Sequence, residues 1–374
     1  SELIHLLIVF YIKLIDMKLK KMFVVPLMAA GLLSPSVADA CTGITLKSKD
    51  GATVVARTIE WGGSDLNSQY VVPRNYKEQS YTPEGQNGMV FTSRYGYVGL
   101  AVQQKEFVAE GLNEAGLSAG LFYFPRYGKY ETYNPSLKAQ SISDLQLVSW
   151  ILGSCKNVDE VKEAVRQVHV VNVDPRASTV HWRFTDLSGR QIVLEIMDGT
   201  PRFYENPLGV LTNSPDLEWH LTNLNNYVNL FPGTAPENQL GETNLTSFGA
   251  GSGFLGIPGD VTPPSRFVRA AFYQATAPVL ATSQETVLQG FQILNNFDIP
   301  IGIEFAKGQT PVDIPSATQW TSATDMTSRT IYYRTMYNSQ IRSIDLRKID
   351  FSKIAYRAVP LDTVKQQPVK AVIE

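Results

Sequence analysis

From residue 41 onward the chain reads as short strand-like runs closed by tight turns, and this alternation most constrains its fold. Residues 42–46 and 52–59 flank Lys49-Asp50-Gly51, a turn of the Asp-Gly kind that closes antiparallel hairpins. Runs at 97–103, 107–110 and 117–124 follow, the last two separated by Asn113-Glu114-Ala115-Gly116. Helical patterning enters only in pairs. Ser143 can cap a segment reaching Ser154, and Asn157 with Glu160 three residues on resembles a capping box opening a helix over 158–168. Val158, Val161, Val165 and Val168 then share one face, the spacing of a helix packed on one side. Strands return at 179–185 and 191–196. Two further helices are predicted at 264–274 and 284–295, and strands at 319–325, 330–336 and 340–345. Hairpin-joined strands interrupted by helical pairs predict an α+β fold, antiparallel sheets covered by helices rather than a doubly wound sheet.

Composition excludes several function classes. With 44% hydrophobic residues in 374, the chain can bury a sizeable core. Lys and Arg total 33 against 35 Asp and Glu, which gives no electrostatic reason to expect nucleic acid or an anionic membrane as partner. Two cysteines, Cys41 and Cys155, rule out a disulfide framework and a Cys-built zinc site. The four histidines (His5, His169, His181 and His220) show no metal-ligand spacing, so neither metal nor cofactor is expected. Gly251-Ser252-Gly253-Phe254-Leu255-Gly256 matches a dinucleotide fingerprint in letters. However, a polar loop-like stretch precedes it, and Pro258-Gly259 forbids the helix that would hold a pyrophosphate. It reads as a glycine-rich loop near a site. Cys155 reads as a buried thiol, and His181 and His220 as hydrogen-bonded packing residues rather than general bases.

The first forty residues are expected to lie outside the fold. Residues 1–16 read as an extension upstream of the translated protein. Residues 17–40 have a signal-peptide layout: Lys18, Lys20 and Lys21, an apolar stretch at 22–33, then Ala38-Asp39-Ala40 as the cleavage signal. The apolar stretch is too short to span a bilayer, which needs about 20 residues. Residues 41–374 are expected to form a single exported domain, periplasmic or secreted, with no stable membrane anchor.

Cleavage after Ala40 would leave Cys41 as the first residue. It then fits a lipoprotein acceptor, a nucleophile carrying its own α-amine, or an ordinary buried residue; Asp39 beside the cut fits the first poorly. Across the predicted hairpin, Arg57 or Glu60 would lie near the new terminus. A cation there lowers a thiol pKa, and a carboxylate can orient an ammonium.

The landmarks Cys41-Thr42-Gly43, 51–57, 111–117, 209–215, Pro258-Gly259-Asp260, Pro264-Ser265-Arg266-Phe267 and Thr318-Gln319-Trp320-Thr321 together resemble the choloylglycine hydrolase family. This family comprises bile salt hydrolases and penicillin V acylases within the N-terminal nucleophile hydrolases. The likeness runs from Cys41 to about Asp345. It implies an αββα sandwich, two antiparallel sheets between helical layers, and Cys41 as nucleophile with its α-amine as base. Arg57 and Arg266 match arginines that line the thiol, and Asn213 matches an oxyanion-hole asparagine. A backbone N–H near Tyr123 would be the second donor. Glu60 stands where the family usually has aspartate, and Leu121-Phe122-Tyr123-Phe124-Pro125 departs from the bile salt hydrolase pattern toward the penicillin V acylases.

The resemblance implies a small-molecule amide substrate and a homo-oligomer, commonly a tetramer. Conjugated bile salts are the expected substrates, with penicillin V second and acyl-homoserine lactones third. The non-enzyme alternative is a lipid-anchored binding protein.

Overall fold

The computed structural model describes residues 40–60, 68–175, 177–304 and 317–373. The expected upstream extension and all of the expected signal peptide except Ala40 lie outside them. β1 (Cys41–Lys47) and β2 (Thr53–Glu60) form the expected hairpin, with Cys41 opposite Ile59 and Gly43 opposite Arg57. Gly51 holds φ +87° in its turn, where a side chain would be strained. The Asp50 carboxylate accepts from the backbone N–H of Ala52 at 3.3 Å and of Ser283 at 3.0 Å.

β3 (Ser68–Val72), β4 (Tyr97–Ala101), β5 (Val108–Asn113) and β6 (Ser118–Tyr123) come next. They are followed by β7 (Val180–Thr185), β8 (Gln191–Met197) and β9 (Thr200–Glu205). The last are β10 (Thr318–Asp325), β11 (Thr330–Thr335), β12 (Asn338–Asp345) and β13 (Arg357–Pro360). One sheet has the order β1-β2-β10-β11-β12 and the other β9-β8-β7-β6-β5-β4-β3-β13. Every pairing within them is antiparallel. The edge strands β9 and β13 escaped the sequence reading for a physical reason. Each is at least half solvent-facing and carries a proline, so neither shows the apolar run of a central strand.

α1 (Leu147–Ser154) follows a 3₁₀ turn whose N-cap is Ser143. α2 (Val158–Val165) starts at Asn157, whose side chain accepts from Glu160 N–H. The reciprocal half of the capping box is displaced: the Glu160 carboxylate takes the N–H of Lys156 instead. Val168 falls beyond the helix end. α3 (Leu217–Asn223), capped by Asp216, was not anticipated; α4 (Pro263–Thr276) and α5 (Ser283–Leu294) were.

α4 packs on β1 and α5 on β2 and β10, while α1 covers β5 and β6 and α2 covers β7. The sheets face each other between these helices, giving the expected four-layer α+β sandwich. β2 is buried along its whole length: α5 covers one face, and on the other Arg57 packs on Leu121 and Phe122 of the second sheet. Gly43 permits the close approach: a Cβ there would stand 2.5 Å from Arg183 Nη1 and 3.0 Å from Phe122 Cζ. Trp182, Trp320, Phe122 and Phe184 are fully buried in this core, each contributing roughly 1.5–3 kcal/mol. Arg57, Arg183, Glu110 and Glu60 are buried with them, where an unpaired charge is costly.

Candidate active site

β1 forms one edge of its sheet, and the segment before α3 pairs onto that edge. Gly43 N–H donates to Leu211 O at 2.7 Å and Leu211 N–H to Gly43 O at 3.1 Å. Two residues further along this antiparallel register, Asn213 stands opposite Cys41. The Cys41 N–H accordingly donates to Asn213 Oδ1 at 2.9 Å.

α4 supplies the next group from above the sheet. Arg266 donates from Nη1 to Cys41 O at 2.5 Å and to Thr42 Oγ1 at 2.8 Å, and from Nη2 to Asn213 Oδ1 at 2.7 Å. With two donors on Oδ1, the Asn213 amide has one orientation, and its Nδ2 donates to Tyr123 O at 2.8 Å. The Tyr123 backbone also acts on the Cys41 thiol, lowering its pKa. Arg57 reaches in from β2. Its Nη1 donates to Leu121 O at 2.7 Å, and its guanidinium carbon lies 4.0 Å above the Phe122 ring centre. Its Nη2 is buried and has no partner among the described residues.

Glu60 ends β2, its N–H donating to Ala40 O at 2.9 Å. Glu60 Oε1 accepts from Thr318 Oγ1 at 2.6 Å. The Cys41 nitrogen is a peptide N–H here, and it bonds Asn213 rather than Glu60.

Burial pushes the Cys41 thiol above its ordinary value of 9.0, with the Glu60 charge adding to the rise. Arg57, the Tyr123 backbone and Arg266 act in the opposite direction. Burial also carries Glu60 up to about 7, against the pull of Arg266 and Thr318. Such a buried thiol needs a base at neutral pH.

All six residues singled out from the sequence (Cys41, Arg57, Glu60, Tyr123, Asn213 and Arg266) therefore lie within this one cluster. Sequence reasoning missed Arg183, whose Nη1 donates to Ile44 O at 3.3 Å beneath the site, with burial holding it down at about 9. It also missed Glu110, which accepts from Trp320 Nε1 at 2.6 Å and Ser322 Oγ at 2.8 Å. A charge inside an otherwise apolar strand was the available signal for both. Cys155 is a buried thiol pushed up to about 12 by burial. The glycine-rich segment makes only a 3₁₀ turn at Ser252–Phe254, and the next helix starts at Pro263.

Among solved structures, a mutant conjugated bile acid hydrolase from Clostridium perfringens superposes with a TM-score of 0.76 at 31% identity, covering 89% of this chain and 100% of that one. A penicillin V acylase from Agrobacterium tumefaciens has the same fold, with a TM-score of 0.71 at 22% identity over 87% of this chain and 93% of that one. These are N-terminal nucleophile hydrolase folds, which defines the class. In sequence, a bile salt hydrolase/transferase of Clostridium perfringens is 33% identical over 78% of this chain and 88% of its own length. Residues 41–358 match the linear amide C–N hydrolases, choloylglycine hydrolase family. The chain belongs to that family and is a hydrolase of linear amide C–N bonds.

Proposed function

We propose that this protein hydrolyses the amide of conjugated bile salts, releasing glycine or taurine, with Cys41 as nucleophile. The convergence of Arg57, Asn213, Arg266 and the Tyr123 backbone on Cys41 carries the reading. The bile salt hydrolases among its relatives support the substrate class. Removal of residues up to Ala40, on export to the periplasm or beyond, converts the Cys41 N–H into a free α-amine. Such an amine titrates near roughly 7.7–8.0 and supplies the missing base.

The amine takes the thiol proton, and the sulphur attacks the substrate carbonyl. Charge develops on the carbonyl oxygen, and the Tyr123 N–H and the second Asn213 Nδ2 hydrogen are the donors within reach. Collapse breaks the C–N bond, and the ammonium returns its proton to the leaving amine. Water then attacks the thioester by the same proton route, releasing the bile acid and restoring Cys41. Arg57 and Arg266 offset the burial cost of the thiolate.

The exposed apolar side chains of Val228, Leu240, Phe248 and Leu255 support assembly into a homo-oligomer, a tetramer by family resemblance. Light scattering on the purified protein tests that, and a monomer at micromolar concentration overturns it.

For the catalytic reading, intact mass is measured on the exported protein, followed by incubation with glycocholate, taurocholate and penicillin V. The expected result is a chain beginning at unmodified Cys41 that releases bile acid faster than phenoxyacetate. Cleavage of penicillin V alone would keep the mechanism and overturn the substrate. A lipid-modified or uncleaved Cys41 would overturn the mechanism.

A further inference from the structure

We propose that His181 and His220 are positioning residues for this reaction, clamping the consecutive carbonyls of Thr212 and Asn213 and so holding the Asn213 side chain against Cys41. The proposal rests on the reading of Cys41 and Asn213 given above.

Both rings are fully buried behind the site. His220 Nε2 lies 2.8 Å from Asn213 O, and His181 Nε2 lies 3.1 Å from Thr212 O. A carbonyl only accepts, so each Nε2 carries a hydrogen. Burial holds His220 down at about 4, which keeps the ring neutral and leaves Nδ1 a bare acceptor, unpartnered among the described residues. A group in that state serves neither as a proton store nor as an ion-pair partner at neutral pH. What it contributes is one directed N–H and a flat face.

The faces are used as well. His181 stacks on Phe124 at 4.3 Å and 6°, and His220 stacks on Phe267 at 4.5 Å and 10°. Phe124 follows Tyr123, whose backbone acts on the thiol; Phe267 follows Arg266, which holds Asn213 Oδ1. Each imidazole therefore ties residues 212–213 to another chain segment that meets at Cys41.

A buried carboxylate closes the circuit. Glu195 Oε1 lies 3.0 Å from His181 Nδ1 and accepts from Leu217 N–H at 3.0 Å. Leu217 opens α3, the helix that carries His220. Glu195 thus fixes one histidine directly and the other through its helix. Imidazole is the side chain that combines a flat stacking ring of this size with an in-plane donor. Phenylalanine keeps the first property and glutamine the second, so the two contributions can be separated.

Steady-state kinetics on glycocholate and thermal melting would be measured for His220→Phe, His220→Gln, Asn213→Ala and the double variant His220→Phe/Asn213→Ala. Displacing a reacting group by about 1 Å can cost on the order of 100-fold. His220→Phe is therefore expected to lower kcat about 10- to 100-fold with KM within about twofold, and His220→Gln to recover most of that loss. In the Asn213→Ala background, His220→Phe should cost nothing further, because its effect runs through Asn213.

An undiminished kcat in His220→Phe, or an equal loss in both backgrounds, would overturn the proposal. So would a glutamine variant no better than the phenylalanine one. If His220→Phe does not fold, His181→Gln takes its place in the cycle, with a kcat loss again expected only when Asn213 is present. Cys41→Ala serves as the control. Turnover in that variant would remove the underlying reading, whereas a dead Cys41→Ala beside a wild-type-like His220→Phe would remove only this inference.

Discussion

The two flanks of Cys41 are built differently. On the Asn213 side the guanidinium is fully engaged: Arg266 directs its three nitrogens to Val261 O, Cys41 O, Thr42 Oγ1 and Asn213 Oδ1. On the other flank, Arg57 Nη2 is buried with no hydrogen-bond partner among the described residues. Leaving a buried polar group unpaired costs roughly 1–3 kcal/mol, more if charged, so such groups persist mainly where function uses them. The satisfied flank fixes the Asn213 amide in one orientation. In the proposed mechanism, the Arg57 and Glu60 flank is the one that would receive the freed Cys41 ammonium.

The largest effect expected is from Cys41→Ala, which removes the group both flanks serve. Turnover should vanish while the melting temperature stays near wild type, as checked by bile acid release and calorimetry. Next, Asn213→Ala strikes the satisfied flank. Loss of one oxyanion donor should lower kcat about 100- to 1,000-fold with little change in KM; a rise in KM alone would make Asn213 a substrate anchor.

Arg57→Met strikes the unsatisfied flank. Removing the cation that lowers the Cys41 pKa should move the pH profile of kcat/KM upward, and an unmoved profile would assign Arg57 to packing alone.

Glu60→Gln sharpens the contrast through stability. The fold favours the protonated acid, since its pKa rises from 4.5 to about 7 on burial. That contribution is complete below about pH 4.5 and lost as pH rises through about 7, on the order of 3 kcal/mol. Denaturant titrations should show a flatter fall in stability between these pH values for the Glu60→Gln variant than for the parent. The smallest effect belongs to Cys155→Ala, which lies outside both flanks: kcat and KM should stay within about twofold, and a larger change would connect α1 to the site.

What could be read directly from the sequence is local. The hairpin β1–β2 follows from an Asp-Gly turn between two apolar runs, and the start of α2 from Asn157 with Glu160 three residues on. Each of these needs only residues a few positions apart, where turn geometry and periodicity act. The edge strands β9 and β13 stayed hidden because solvent-facing strands lack that periodicity.

Cys41 stood out by its place behind a signal-like segment, Arg57 and Glu60 by the predicted hairpin, and Tyr123, Asn213 and Arg266 by family resemblance. Their contacts were decided by the tertiary structure. Asn213 lies 172 residues from Cys41 and Arg266 lies 225 away. No local pattern states that residues 209–213 will close the open edge of β1, or that α4 will lie across it. Those placements follow from burying both faces of two sheets at once. The same packing turns His181 and His220, ordinary core residues by pattern, into supports behind Asn213.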